Sequence, residues 1–354
     1  MEKNMNVISC AEAVFLFLGC FLAIVSNLEA QDPSKLSLDY YSKSCPTAQQ
    51  VVRSEMECAV RADPHNAAII LRLHFHDCFV QGCDGSVLLD DTVSMIGEKQ
   101  ADQNVNSLKG FDLVDKIKEK LEAECPGVVS CADLLAVAAK DAVVLLAAGW
   151  RALLGCSSGR LDSKKASLDQ ANTDIPTSDQ GLATLISKFL AKGLSVTDMV
   201  ALVGTTSYAL IFHAARERSH TIGVSRCVNI RDRIYGDFQL TSKSEAASSL
   251  YLTKLKETCP ARGGDDNTSP IDHVTPTVFD NAFFETLLHG EGLLNSDQEM
   301  YSSLIGFQTA DIVAKYWADT AAFFKQFADS MVKMGNITNP EGGEARKNCR
   351  FVNA

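Results

Sequence analysis

The sequence predicts an all-α fold with minimal β structure, and three observations carry that expectation. Apolar residues recur at helical spacing along most of the chain, capping residues stand at several segment starts, and strand signals are weak and short. Val51, Val52, Met56 and Val60 open the pattern in a helix expected over 47–62, and a second helix is expected from Ala67 to Cys78. Phe111 to Leu121, Ala132 to Ala148, Leu182 to Leu190, Ala247 to Leu255 and Phe307 to Met334 repeat it. Ser130 ahead of Asp133 and Ser195 ahead of Asp198 have the spacing of a capping residue and its partner in the first turn. No internal repeat, low-complexity tract or Gly-rich phosphate loop between strand and helix is present.

A chain of 354 residues with 46% hydrophobic content can bury a large core in one or two lobes. Its formal charge of -11 and the lack of a basic run argue against nucleic acid as a partner. Lys3, an apolar run from Val14 to Val25 and the small residue Ala30 read as a signal peptide over 1–30, leaving a single domain over 31–354. The run is too short to span a bilayer, so the expectation is a secreted protein with no membrane anchor. Cleavage after Ala30 removes Glu2, Lys3, Glu12 and Glu29, which takes the formal charge from -11 to -9.

Cys10 and Cys20 of the twelve cysteines leave with that peptide, and an even set of ten remains, the pattern of a disulfide framework in an exported chain. The pairing is open from sequence alone. Two glycosylation sequons, Asn267-Thr-Ser and Asn336-Ile-Thr, fit the same compartment.

The most informative stretch is Leu71-Arg-Leu-His-Phe-His-Asp-Cys-Phe-Val-Gln-Gly-Cys-Asp-Gly-Ser86. On a helix Arg72, Phe75 and His76 stand at i, i+3 and i+4, so they share a face while His74 points elsewhere. A permanent cation beside an imidazole suits proton transfer on a ligand whose cleavage builds negative charge. Asp77, Asp84 and Ser86 then crowd hard oxygens around a Gly-containing loop, with the carbonyls of Val80 and Gly82 nearby, which is calcium chemistry. A hydrogen-bonded core pair and a zinc cluster of His74, His76, Cys78 and Cys83 are the competing readings. The divergence of i and i+2 side chains on a helix weighs against the zinc cluster.

The whole string, Arg-x-His-Phe-His-Asp-Cys-Phe-Val-x-Gly-Cys-Asp-x-Ser, resembles the distal signature of the plant secretory (class III) haem peroxidases. The likeness continues in His220-Thr-Ile-Gly-Val-Ser-Arg-Cys227 and runs from about Leu36 to Asn353. It implies two helical lobes with one haem b between them, His220 as the axial ligand and Asp297 as the acceptor behind it. It implies His76, Arg72, Phe75 and Asn104 in the distal pocket, with Asn104 holding His76 in its basic tautomer. Two calcium ions are implied, one at Asp77, Val80, Gly82, Asp84 and Ser86 with Glu98 behind them, one at Thr221, Asp272, Thr275, Val278 and Asp280. Pro176 is implied at the substrate edge.

Four disulfides are likewise implied, Cys45 to Cys125, Cys78 to Cys83, Cys131 to Cys349 and Cys227 to Cys259, which leaves Cys58 and Cys156. Cys58 is expected as a free, buried thiol. The implied activity is reduction of hydrogen peroxide to water with one-electron oxidation of small phenolic donors, by a monomer outside the cell, in the wall, apoplast or vacuole.

Two departures stand against the resemblance. Where the family runs Val-Ala-Leu-x-Gly-Ala-His-Thr, this chain has Val200-Ala-Leu-Val-Gly204 and then fifteen added residues, Thr205 to Ser219, before His220. As continuous helix they would lengthen it by about 22 Å and turn His220 by about 60°, so the ligand survives only if they loop out. Three more, Cys156 to Ser158, interrupt Leu154-Gly-Cys-Ser-Ser-Gly-Arg160-Leu-Asp162. Their abrupt edges suggest mis-spliced sequence, which transcript reads carrying both in frame would refute. The alternative reading is a catalytically impaired calcium-binding extracellular protein on the same scaffold, disabled by the insert over 205–219.

Overall fold

The computed structural model describes residues 36–147, 155–177, 180–204, 223–236 and 245–354, with side chains from 250 onward in the last stretch. The signal peptide expected over 1–30 and the insert over 205–219 lie outside the described residues. The N-terminal helices are α1 (Ala48–Ala62), α2 (His65–Phe79), α3 (Phe111–Glu124) and α4 (Cys131–Leu146). Three more follow, α5 (Leu168–Asp174), α6 (Leu182–Ala191) and α7 (Val196–Val203). Beyond β1 (Val224–Arg226) come α8 (Cys227–Tyr235), α9 (Glu245–Thr258), β2 (Thr268–Pro270), α10 (Ala282–Leu288), α11 (Asn295–Ser302), α12 (Phe307–Ala318) and α13 (Thr320–Gly335). The fold is all-α, and β1 and β2 form one antiparallel pair in the register Val224 with Pro270.

The helices form where the apolar pattern and the caps agree. Val52, Met56 and Val60, four residues apart, are the buried stripe of α1. Ser130 caps α4 by accepting the Asp133 N–H, and Ser195 with Asp198 completes a reciprocal capping box on α7. In contrast α2 is buried on every side from Ile70 to Phe79. It packs against α4, which also receives α1 and α3, and these four helices make one packing group. A second group joins α7, α10, α11, α12 and α13 around Phe279, Phe284, Phe323 and Phe327, and α13 reaches back to α2.

Two expectations change. The pattern over Phe307 to Met334 is two helices, because Asp319 leaves helical geometry (φ -137, ψ 93) and its carboxylate caps the next helix at the Ala322 N–H. Cys58 is free but exposed, since on α1 it falls outside the buried stripe. The disulfides are Cys45–Cys125, Cys78–Cys83, Cys131–Cys349 and Cys227–Cys259, the pairs the resemblance implied. Cys156 is a half-buried free thiol. Its neighbour Ser158 exchanges backbone hydrogen bonds with Ser37 at 2.9 and 2.8 Å, so the three-residue insert is knitted into the fold.

Candidate active site

The centre of α2 carries the distal residues. Arg72, Phe75 and His76 are all buried, and Phe75 stacks on Phe79 with ring centroids 4.0 Å apart. Arg72 Nη2 donates to the Gln103 carbonyl at 2.9 Å and to Ser107 Oγ at 3.0 Å, which aims the guanidinium from the far side of the loop before α3. His76 Nδ1 lies 2.6 Å from Asn104 Oδ1, and the Asn104 amide donates to the Glu98 carbonyl at 2.8 Å. That second bond orients Asn104 with its oxygen toward the imidazole, so Nδ1 is the protonated nitrogen. Nε2 is left buried with no hydrogen-bond partner. Burial first and the Arg72 charge second hold the His76 pKa well below its ordinary value, against the opposing bond to Asn104. A neutral imidazole with a bare, buried nitrogen beside a fixed cation can accept a proton and return it.

The loop leaving α2 turns through left-handed backbone at Gln81, Gly82 and Gly85. It brings Asp77, Asp84 and Ser86 together with Glu98, all buried. Asp77 Oδ1 has no hydrogen-bond partner there, and the Ser86 hydroxyl faces the carboxylates of Asp84 and Glu98. Burial raises Asp77 and Glu98 well above the carboxylate range and Asp84 to about 6. An orphaned hard oxygen and acids whose ionisation burial disfavours, with the Arg346 charge only partly offsetting it at Asp77 and Asp84, fit a calcium ion. Glu98 Oε1 accepts the Ser167 N–H at 3.1 Å, so one residue faces this loop by its carboxylate and the Asn104–His76 pair by its carbonyl.

A second oxygen cluster lies before α10. The Thr275 hydroxyl is 3.1 Å from Asp272 Oδ2 and 2.9 Å from Asp280 Oδ1, and burial raises the Asp272 pKa. Val278 is exposed beside it. Thr221 and His220 lie outside the described residues. Asp297 is fully buried in the first turn of α11. Pro176 is buried just past α5, whose Asn172 accepts the Asp102 N–H and the Gln103 side-chain amide, tying that edge to the loop that aims Arg72.

His74, Cys78 and Cys83 lie close enough to share a metal, but both sulfurs are in one disulfide and offer no thiolate, and His76 points away to Asn104. Sequence reasoning missed Gln103, Ser107 and Ser167, which act through backbone or hydroxyl groups that any loop carries. It also missed Asn339, which reaches Asp84 from 255 residues away in sequence.

A model of the family described as Peroxidase matches residues 52–319. Peroxidase 11 of Arabidopsis thaliana is 53% identical over 348 residues, covering 96% of this chain and 98% of that one. Peroxidase 49 of the same plant is 45% identical over 344 residues, covering 96% and 98%, and Peroxidase 70 of Zea mays is 42% identical over 348, covering 97% and 100%. The chain belongs to the plant secretory (class III) peroxidase family. Membership makes it an oxidoreductase of the peroxidase type, and the family implies haem and hydrogen peroxide.

Proposed function

We propose that this chain is a secreted haem peroxidase that reduces hydrogen peroxide to water and oxidises small phenolic donors by one-electron steps. The observation that carries the reading is the bare, buried Nε2 of a neutral His76, oriented by Asn104 and flanked by Arg72. His76 takes a proton from one peroxide oxygen and returns it to the other, which leaves as water. Arg72 stabilises the charge that develops as the O–O bond breaks. Phe75 and Phe79 exclude water from that face.

Haem b, one per chain and held by His220 with Asp297 behind it, supplies the redox chemistry when bound. Two calcium ions take the two oxygen clusters, the first with Asp77, Val80, Gly82, Asp84 and Ser86 backed by Glu98, the second with Thr221, Asp272, Thr275, Val278 and Asp280. Phenolic donors enter at the edge formed by Pro176. Four disulfides and the exposed sequon residues Asn267 and Asn336, with the leader expected over 1–30, support a place outside the cell, where the chain acts as a monomer. Among the described residues no helix is long and apolar enough to cross a membrane.

The insert over 205–219 favours the second reading, a calcium-binding scaffold that no longer holds haem. The absorption spectrum of the secreted protein, with and without added haem, separates the two. A Soret band that shifts on addition of peroxide is the expected result. A folded, disulfide-bonded protein without that band would establish the scaffold reading.

A further inference from the structure

The chain leaving α13 closes over the loop that carries the first oxygen cluster. The Cys83 N–H donates to the Ile337 carbonyl at 2.7 Å. Gly82 leaves no room between them, since a Cβ there would come within 2.8 Å of that carbonyl and 2.9 Å of Thr338. Further on, Arg346 Nη2 donates to the Gly85 carbonyl at 2.5 Å, and its backbone N–H donates to Asp162 at 2.8 Å. Between these two ties stands Asn339. Its amide donates to Asp84 Oδ2 at 2.6 Å, while its own oxygen accepts the Glu341 N–H at 2.8 Å, which fixes the direction of the amide.

The chemistry of this contact is specific. A lysine or arginine at the same place would pair with Asp84 and cancel the charge a divalent cation needs. A neutral amide orients the carboxylate and leaves its charge in place. Asp84 Oδ1 is turned to the Ser86 N–H at 2.9 Å, so two neutral donors hold the carboxylate beside the unpartnered Oδ1 of Asp77 and the Ser86 hydroxyl.

We propose that Asn339 is a positioning residue for the cation held by Asp77, Asp84 and Ser86, and that it couples the segment 337–346 to occupancy of that site. The inference rests on the calcium reading above. Coupling of this kind is reciprocal: the ion steadies the segment by as much as the segment tightens the ion.

The test uses the secreted protein with its haem, the variants N339A, N339S and E341A, and calcium as the probe. Calcium affinity is read by competition with a fluorescent chelator, and melting temperature is followed across free calcium. N339A should weaken binding at one site by about 10–100-fold, the usual effect of losing a residue that orients a ligand. It should also melt like the wild type once calcium saturates. N339S, with a shorter donor, should fall between them. E341A should bind like the wild type, because only the backbone N–H of Glu341 serves Asn339. Wild-type affinity in N339A, or a stability loss equal at every calcium concentration, would overturn the inference alone. A wild-type protein that binds no calcium would overturn both it and the calcium reading.

Discussion

His76 depends on one hydrogen bond for its function as a base. With Nδ1 committed to Asn104 at 2.6 Å, the lone pair sits on Nε2, and loss of the amide frees the ring to rotate or change tautomer. N104V is therefore expected to slow the reaction with peroxide roughly 10–100-fold, and H76A roughly 10²–10⁴-fold, both read by stopped-flow absorbance of the haem. His74, two residues earlier, is buried for another purpose. Burial first and the Arg160 charge second lower its pKa to about 3. The folded protein then binds fewer protons here than the unfolded chain, whose imidazole titrates near 6.5, so this contribution is complete above that pH and lost as pH falls toward 3. H74Q should flatten the decline of the unfolding free energy, read by urea denaturation, over that interval by an amount of order a few kcal/mol. Arg72, His76 and Asn104 were legible in sequence as a motif, whereas Gln103 and Ser107, which aim Arg72, were not, because carbonyls and hydroxyls are everywhere.

At the scale of elements, the loop after α2 depends on something outside the protein. Its acids Asp77, Asp84 and Glu98 carry raised pKa values, so without an ion the folded state binds more protons here than the unfolded chain. Their contribution is complete at low pH and lost as pH rises past about 6 for Asp84. A cation reverses this by supplying the counter-charge. Chelation of calcium should accordingly lower the melting temperature more at pH 8 than at pH 5, by scanning calorimetry, and an equal effect at both would refute the charge argument. The helices themselves were largely legible, since caps and apolar stripes act within a few residues. The division at Asp319 was not: the apolar spacing of α12 and α13 runs on through it, and only backbone geometry shows that its carboxylate starts a new helix.

The whole molecule is closed by Cys131–Cys349, which spans 218 residues and pins the C-terminal segment to the start of α4. Replacing both cysteines by serine should cost about 2–5 kcal/mol by the loop-entropy argument, measured by urea denaturation. It should also raise the calcium needed for full stability, because the segment over the first oxygen cluster loses its anchor. By itself the sequence determined the all-α class, most helices, and the grouping of Arg72, Phe75, His76, Asp77, Asp84 and Ser86, since i, i+3 and i+4 geometry and short loops are properties of the local chain. Only the tertiary structure decided which neighbours those residues meet. Asn339 on Asp84, Arg346 on Gly85 and Ser167 on Glu98 all follow from how segments distant in sequence pack, and a contact with a partner tens to hundreds of residues away leaves no mark in the local pattern.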